Sequence, residues 1–132
     1  MTSKFQGESS HKVDGKGRVA LPVKFRRALT AGDRRVLNGD LPRLFIAYGN
    51  PASRDVECLS GDYYDELTDR IEAMPDGSAE RELLEYLYYV KCDEVAVDDT
   101  GRFVLPPAVR EKLGLTSDAV FQGKGRRFVI LH

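Results

Sequence analysis

The chain has 132 residues, of which 42% are hydrophobic, so it is long enough for one compact domain or two very small ones. No run of 18 apolar residues occurs, which excludes a membrane-spanning helix, and the first residues lack the apolar core of a secretory signal. The formal net charge of −1 by itself argues against a protein that binds polyanions.

The first part of the chain predicts the order strand, strand, short helix, strand, strand. Residues 5–13 form the first strand, and the turn that follows runs from Asp14 to Gly17, because Asp can hydrogen-bond its own backbone and Gly17 tolerates a positive φ. The next segments are a short strand over 18–21, a helix over 22–29 that opens at Pro22, a turn at 32–33, a strand over 35–37, a hairpin at Asn38-Gly39 and a strand over 44–48.

The middle of the chain predicts two acidic helices. Apolar residues recur at helical spacing over 62–74, and the sequence Met-Pro-Asp-Gly at 74–77 ends that helix. Ser78 is a good N-cap for a second helix that reaches about Lys91. Its tyrosines are expected to serve as core or subunit contacts; they are Tyr86, Tyr88 and Tyr89.

The last part repeats the first. Residues 97–113 align with residues 13–29 without a gap, at an offset of 84, and eight of the 17 positions are identical, where about one would match by chance. The second copy therefore predicts strands over 94–97, 102–105, 119–122 and 127–131, with a helix after the second strand and a hairpin at 123–125.

These segments predict a mainly β, α+β protein with a duplicated unit. The first repeat covers 1–54, an acidic helical insert covers 55–91, and the second repeat covers 92–132. A chain that ends on a strand needs that strand paired, which favours closure of one repeat against the other.

The sign of the local net charge changes near the same boundaries. Residues 1–54 carry 11 Lys and Arg against 4 Asp and Glu, residues 55–99 carry 3 against 15, and residues 100–132 carry 6 against 2. This asymmetry indicates a basic face for a polyanion and an acidic face elsewhere, although solvated surface charge is the alternative interpretation.

The candidate residues for binding a polyanion are cations in and around the first turn, because phosphate contact needs cations on a rigid, exposed element. They are Lys12, Lys16, Arg18, Lys24, Arg26 and Arg27, and Arg102 is a further candidate from the second turn. The residues expected to structure the turns are Asp14, Gly17, Asp98 and Gly101. A salt bridge to the Asp of its own turn is the alternative role for each Arg. It weighs more for Arg102, which faces Asp98 and Asp99.

Enzymatic chemistry is not supported. Asp99-Thr100-Gly101 is the tripeptide of aspartic proteases, but the first copy has Gly-Lys-Gly at the aligned place and so lacks the second carboxylate. His11 and His132 have no metal-ligand spacing, and no cofactor motif occurs. Cys58 and Cys92 are expected to be reduced, partly buried thiols, with a disulfide or metal pair as the alternative.

With its two Asp-x-x-x-Arg motifs, at Asp14…Arg18 and Asp98…Arg102, the chain resembles the MraZ family of bacterial transcription regulators. The opening Phe5-Gln6-Gly7, the Leu-Pro after each motif and the helical insert extend the resemblance over nearly the whole chain. The resemblance implies two AbrB-like repeats that interlock as a swapped-hairpin β-barrel, a pseudo-dimer within one chain.

The resemblance also implies function. Members of the family bind short direct repeats in double-stranded DNA, upstream of the division and cell-wall gene cluster that contains their own gene. The implied protein is a ring-like homo-oligomer of the cytoplasm and nucleoid, acting as a repressor. The alternative is a non-enzymatic interaction module, either an AbrB-type antitoxin or a scaffold that uses the acidic insert.

Overall fold

The computed structural model describes residues 3–114 and 117–132, and its architecture is mixed α+β with an antiparallel sheet. The strands are β1 (Glu8–Lys12), β2 (Arg18–Ala20), β3 (Arg43–Ala47), β4 (Val56–Ser60), β5 (Cys92–Ala96), β6 (Arg102–Val104), β7 (Asp118–Gly123) and β8 (Arg127–Leu131). The α-helices are α1 (Val23–Ala31), α2 (Gly61–Glu72), α3 (Ala79–Glu85) and α4 (Pro107–Leu113). A 3₁₀-helix spans Arg34–Asn38 and a π-helix spans Tyr86–Val90. None of the described helices is long and apolar enough to cross a bilayer.

The two copies of the duplicated unit exchange strands. Six strands form one sheet in the order β1-β7-β8-β4-β3-β5, and β2 pairs with β6 in a separate two-stranded ribbon. Three strands of the first copy therefore pair with strands of the second copy: β1 pairs with β7, β2 with β6 and β3 with β5. Neither copy can satisfy its strand edges alone.

One hydrophobic core joins both copies. Phe5 and Phe25 come from the first copy and Phe121 and Phe128 from the second, and all four are almost completely buried. The Phe5 and Phe128 rings lie 5.0 Å apart between centroids, as do the Phe25 and Phe128 rings. Removal of these side chains from water stabilises the interleaved arrangement as a unit.

Most of the predicted elements are confirmed within one or two residues. Helix α1 starts directly after Pro22, and α2 and α3 lie where the insert predicts two helices. The Ser78 hydroxyl accepts a hydrogen bond from the backbone N–H of Arg81 at 3.3 Å, which confirms the predicted cap. Cys58 is buried and Cys92 half-buried, and both are free thiols.

The strand predicted over 35–37 and the hairpin at Asn38-Gly39 are wrong. The segment is a 3₁₀-helix because the buried Asp33 carboxylate accepts from the backbone N–H of Arg35 at 3.1 Å and so caps it. Gly39, at φ 90°, ends the helix. The aligned second-copy segment is strand β7, so the two copies differ in structure here.

Strand β4 is not anticipated by the sequence pattern. It lies between β3 and β8, in the middle of the sheet, although residues 56–60 belong to the predicted helical insert. The insert is thus anchored by a strand at its start, and Tyr64 on α2 stacks on Phe45 of β3 with ring centroids 3.8 Å apart. The division into two repeats and an insert stays a prediction from the duplicated sequence.

A buried ion pair fixes the first copy against α2. The Arg43 guanidinium donates to both oxygens of Asp33, with Nε–Oδ2 at 3.0 Å and Nη2–Oδ1 at 3.1 Å, and also to Asp65 on α2 at 2.9 Å. Burial alone would raise the pKa of Asp33, but the hydrogen bonds from Arg43 and Arg35 outweigh it and lower that pKa. Asp33 and Arg43 thereby hold the end of α1, the 3₁₀-helix and β3 in one arrangement.

Candidate nucleic-acid interface

The first turn is built around the carboxylate of Asp14. Its Oδ1 atom accepts from the backbone N–H groups of Lys16 and Arg18, both at 2.9 Å, and Gly17 turns the chain at φ 84°. The Arg18 side chain donates from Nε to Asp14 Oδ2 at 2.7 Å. Lys16 is therefore carried on an exposed, rigid turn, as phosphate contact requires.

The second turn has the same backbone and different side-chain bonds. Asp98 Oδ1 accepts from the backbone N–H groups of Thr100 and Arg102 at 2.9 Å and from the Thr100 hydroxyl at 2.7 Å. Arg102 Nε lies 4.0 Å from Asp98 Oδ2. The salt bridge is expected from the sequence to matter more at Arg102, but the closer one is at Arg18, because Arg102 Nε donates instead to the Thr100 hydroxyl at 3.3 Å.

Hydrogen bonding also sets the charge of the two turns. The backbone N–H of Arg18, followed by its side chain, lowers the pKa of Asp14 to about 2. The pKa of Asp98 is lowered as well, first by the backbone N–H of Arg102 and then by the Thr100 hydroxyl. Both carboxylates are therefore ionised at neutral pH and hold the turns through these hydrogen bonds.

The two motif arginines lie on the same face of the ribbon. In the β2–β6 register, Arg18 lies opposite Val104, Val19 opposite Phe103, and Ala20 opposite Arg102. Val19 and Phe103 face the core at 2% exposure, so the other four side chains face solvent. Arg18 and Arg102 are diagonal neighbours on that outer face, about 7–8 Å apart by ordinary strand geometry.

The helix that follows each turn packs on the other turn. The Arg26 guanidinium on α1 donates to the backbone carbonyl of Asp99, and its Cδ lies 3.0 Å from where a Cβ of Gly101 would stand. Arg110 on α4 approaches Gly17 in the same way, with Cζ and Nε 3.0 Å from the position of a Cβ. Arg26 therefore belongs spatially to the second turn and Arg110 to the first.

The exchange divides the predicted site in two. Lys12, Lys16 and Arg18 stay with the first turn, whereas Arg26 leaves it with the helix that also carries Lys24 and Arg27. All of these side chains are exposed except Arg26, which is half-buried. Both ends of the ribbon thus carry cations, where the sequence places them almost entirely around the first turn.

Relatives with the same name align across the chain. A Ruegeria pomeroyi protein named transcriptional regulator MraZ is 42% identical over 130 residues, which cover 98% of this chain and 78% of the relative. A Cereibacter sphaeroides protein of that name is 38% identical over 128 residues, covering 97% and 75%, and an Anaeromyxobacter protein is 36% identical over 124 residues, covering 92% and 79%. The chain belongs to the MraZ family. No protein-family model matches it. Because both copies and the insert are aligned, MraZ membership applies to the chain as a whole.

One residue at the MraZ turns is absent from the predicted site. Arg110 is identical to Arg26 in the alignment of the two copies, and this identity is the signal that would have found it. Among the described residues, the buried Nε of Arg110 has no hydrogen-bond partner, whereas Arg26 is bonded to Asp99. The first turn is thus contacted by Arg110 of the other copy, and the Nε of Arg110 has no hydrogen-bond acceptor among the described residues.

Proposed function

We propose that this chain is a transcriptional regulator that binds double-stranded DNA with the outer face of the β2–β6 ribbon and the two turns beside it. The observation that carries the proposal is the placement of Arg18 and Arg102 together on that face, with 52% and 58% of their side chains exposed. The name of the MraZ relatives supports the regulatory role.

The ribbon has the dimensions and chemistry for this task. The major groove of B-DNA admits a two-stranded β-ribbon, and Arg is the side chain that most often contacts a base edge there. Lys16 on the first turn and Arg27 on α1 extend the cationic surface to either side, where phosphates flank a groove. No enzymatic step or cofactor is part of the proposal.

The strand exchange supports an AbrB-like, swapped-hairpin architecture. Each turn is closed by the other copy, because the backbone N–H of Leu21 donates to Gly101 O at 2.9 Å and that of Leu105 donates to Gly17 O at 2.8 Å. We take the two copies as one pseudo-dimeric DNA-binding unit, with residues 55–91 as its insert.

A ring-like homo-oligomer acting as a repressor completes the proposal. A single chain offers one short ribbon, and weak phosphate contacts need repetition to reach useful affinity. The insert carries exposed apolar side chains that suit self-association: Leu83, Tyr86, Tyr89 and Val90. The target is a set of direct repeats upstream of the division and cell-wall gene cluster that includes the protein's own gene, in the cytoplasm at the nucleoid.

Salt dependence of binding tests the DNA interface. Binding to a duplex from upstream of the protein's own gene is measured at several salt concentrations for the native chain, Arg18→Ala and Arg102→Ala. Each substitution should weaken binding and lower the salt slope by roughly one for every substituted chain that contacts the duplex, because each lost cation neutralises one phosphate fewer. Arg70→Ala, an exposed arginine on α2, is the matched control and should leave the slope unchanged.

Light scattering on the same samples gives the native mass, and a monomer at micromolar concentration would contradict the oligomer. An unchanged slope in both ribbon variants would remove the DNA assignment. It would favour the interaction module, whose partner would then be sought with the acidic insert.

A further inference from the structure

The outer face of the ribbon contains an apolar side chain between its arginines. Val104 is 49% exposed, and among the described residues it is the one exposed large hydrophobic side chain that lies on a strand. It stands directly opposite Arg18 in the ribbon register. Its counterpart in the first copy, opposite Arg102, is Ala20.

A partner for this face must therefore offer hydrogen-bond acceptors to Arg18 and an apolar group to Val104, and the two must lie no further apart than directly opposite side chains on a ribbon. Directly opposite side chains on a ribbon have Cβ atoms about 4.5–5.5 Å apart. The major groove of DNA meets the requirement, because it presents guanine acceptors to Arg and the C5-methyl group of thymine to small apolar side chains. Thymine methyl is the apolar group on the floor of that groove.

We propose that Val104 contacts a thymine C5-methyl group in the bound DNA and thereby contributes to sequence recognition. This inference rests on the proposed function. The Val104 side chain extends further from the strand than the single methyl group of Ala20. Of the two outward cross-strand rows, Arg18 with Val104 and Ala20 with Arg102, only the first can therefore contact a thymine methyl group closely. The ribbon then reads DNA in one direction, although its backbone register is symmetric between the copies.

The ends of the ribbon reinforce this direction. The row with Val104 adjoins the first turn, which carries Lys16, whereas the row with Ala20 adjoins the second turn, which carries Asp99 and Thr100. Lys16, Arg18 and Val104 thus lie at the same end, whereas the cation at the other turn is Arg26, whose guanidinium is bonded to the Asp99 carbonyl. A reader with two unlike ends suits repeats in direct orientation better than a palindrome, which two equal ends would match.

The test changes one group on the DNA. The duplex from upstream of the protein's own gene is prepared once with thymine and once with uracil in its place, which removes only the C5-methyl groups. The native chain should bind the thymine duplex more tightly, by about fourfold for each methyl group contacted, the equivalent of roughly 0.8 kcal/mol per buried methyl-sized group. Because the protein is unaltered, folding does not enter this comparison.

Two protein variants test whether Val104 is the residue that contacts the methyl group. Val104→Ala should bring the thymine-to-uracil affinity ratio close to one, whereas Leu41→Ala, which truncates a similarly exposed apolar side chain (53%) in the loop before β3, should keep the native ratio. Equal binding of both duplexes by the native chain would overturn the inference. The inference would also be overturned if Val104→Ala kept the native thymine-to-uracil ratio. If that variant kept the ratio but changed the mass of the oligomer, Val104 would be a subunit contact.

The proposed function fails separately. If Arg18→Ala and Arg102→Ala both bind the thymine duplex as well as the native chain does, then the ribbon is not the DNA-binding face. If Arg18→Ala loses binding while the thymine-to-uracil ratio of the native chain is one, then only the role of Val104 is wrong.

Discussion

Arg26 on the first-copy helix donates a hydrogen bond to the backbone carbonyl of Asp99 in the second-copy turn. The aligned residue, Arg110, lies against Gly17 of the first turn. Each turn is therefore supported by an arginine from the other copy. The geometry of both turns depends on the packing of the whole chain as well as on local sequence.

Substitution of Gly17 tests this support. Gly17→Ala should lower the free energy of unfolding by about 1–2 kcal/mol, because a side chain at φ 84° is strained and the added Cβ would stand 3.0 Å from Arg110. Gly15→Ala in the same turn is the control, since its Cβ would meet no atom within 4 Å. Urea denaturation measures both. Equal stability of the two variants would show that Arg110 and the positive φ do not constrain the turn.

Loss of the buried arginine should be far more damaging than loss of an exposed one. Arg43→Ala should cost about 3–5 kcal/mol, because it leaves Asp33, whose side chain is 0% exposed, without its partner. Arg34→Ala breaks an ion pair to Asp62 in which the arginine is 71% exposed, and should cost less than about 1 kcal/mol. Denaturant midpoints of the two variants decide the matter, and similar values would refute a structural role for the buried pair.

Stability should fall in acid through the turn carboxylates. The folded-state pKa of Asp14 is about 2 against an ordinary value of 3.8, and those of Asp33 and Asp98 are also lowered. Protonation therefore favours the unfolded chain, so the contribution is complete above about pH 4 and is lost as pH falls toward 2. Urea midpoints between pH 6 and pH 2 measure the loss, which should be smaller in Asp14→Asn. A midpoint that does not change over this range would contradict the prediction.

The first copy should not fold by itself. A fragment of residues 1–54 lacks the partners of β1 and β2, which are β7 and β6. It should show no cooperative thermal transition, whereas the full chain should show one, because exposed strand edges and half of the aromatic core are left without contacts. Circular dichroism during heating gives the answer, and a sharp transition in the fragment would argue against interdependence of the copies.

The turns and helices could be predicted because their signals are local. Asp14, Gly17 and Arg18 form a turn with bonds that span at most four residues, and Ser78 caps its helix within three. The sequence does not predict strand β4, because no turn signal separates it from α2. The strand ends at Ser60 and the helix begins at Gly61. Its place in the sheet depends on β3 and β8.

The incorrect strand over 35–37 and the divided site have a common cause. The apolar run before the Asn38-Gly39 hairpin signal predicts a strand over 35–37, yet the buried pair of Asp33 and Arg43, ten residues apart, favours a helix there. The sequence places Arg26 beside its own turn because its helix follows that turn in the chain, and chain order does not reveal that the helices are exchanged. Contacts between distant segments decided both outcomes, and local pattern carries no information about them.

The position of β8 has a consequence for biosynthesis. This strand occupies the middle of the sheet between β7 and β4, although it comes last in the chain, and β1 pairs with β7 across more than a hundred residues, as at Glu8 and Gln122. While the ribosome is still making the polypeptide, β1 and β2 therefore have no partners, whereas β3 can already pair with β4. The pairing of β1 and β2 waits until the second copy has been made, so these two segments of the nascent chain are exposed to aggregation and to early proteolysis until then.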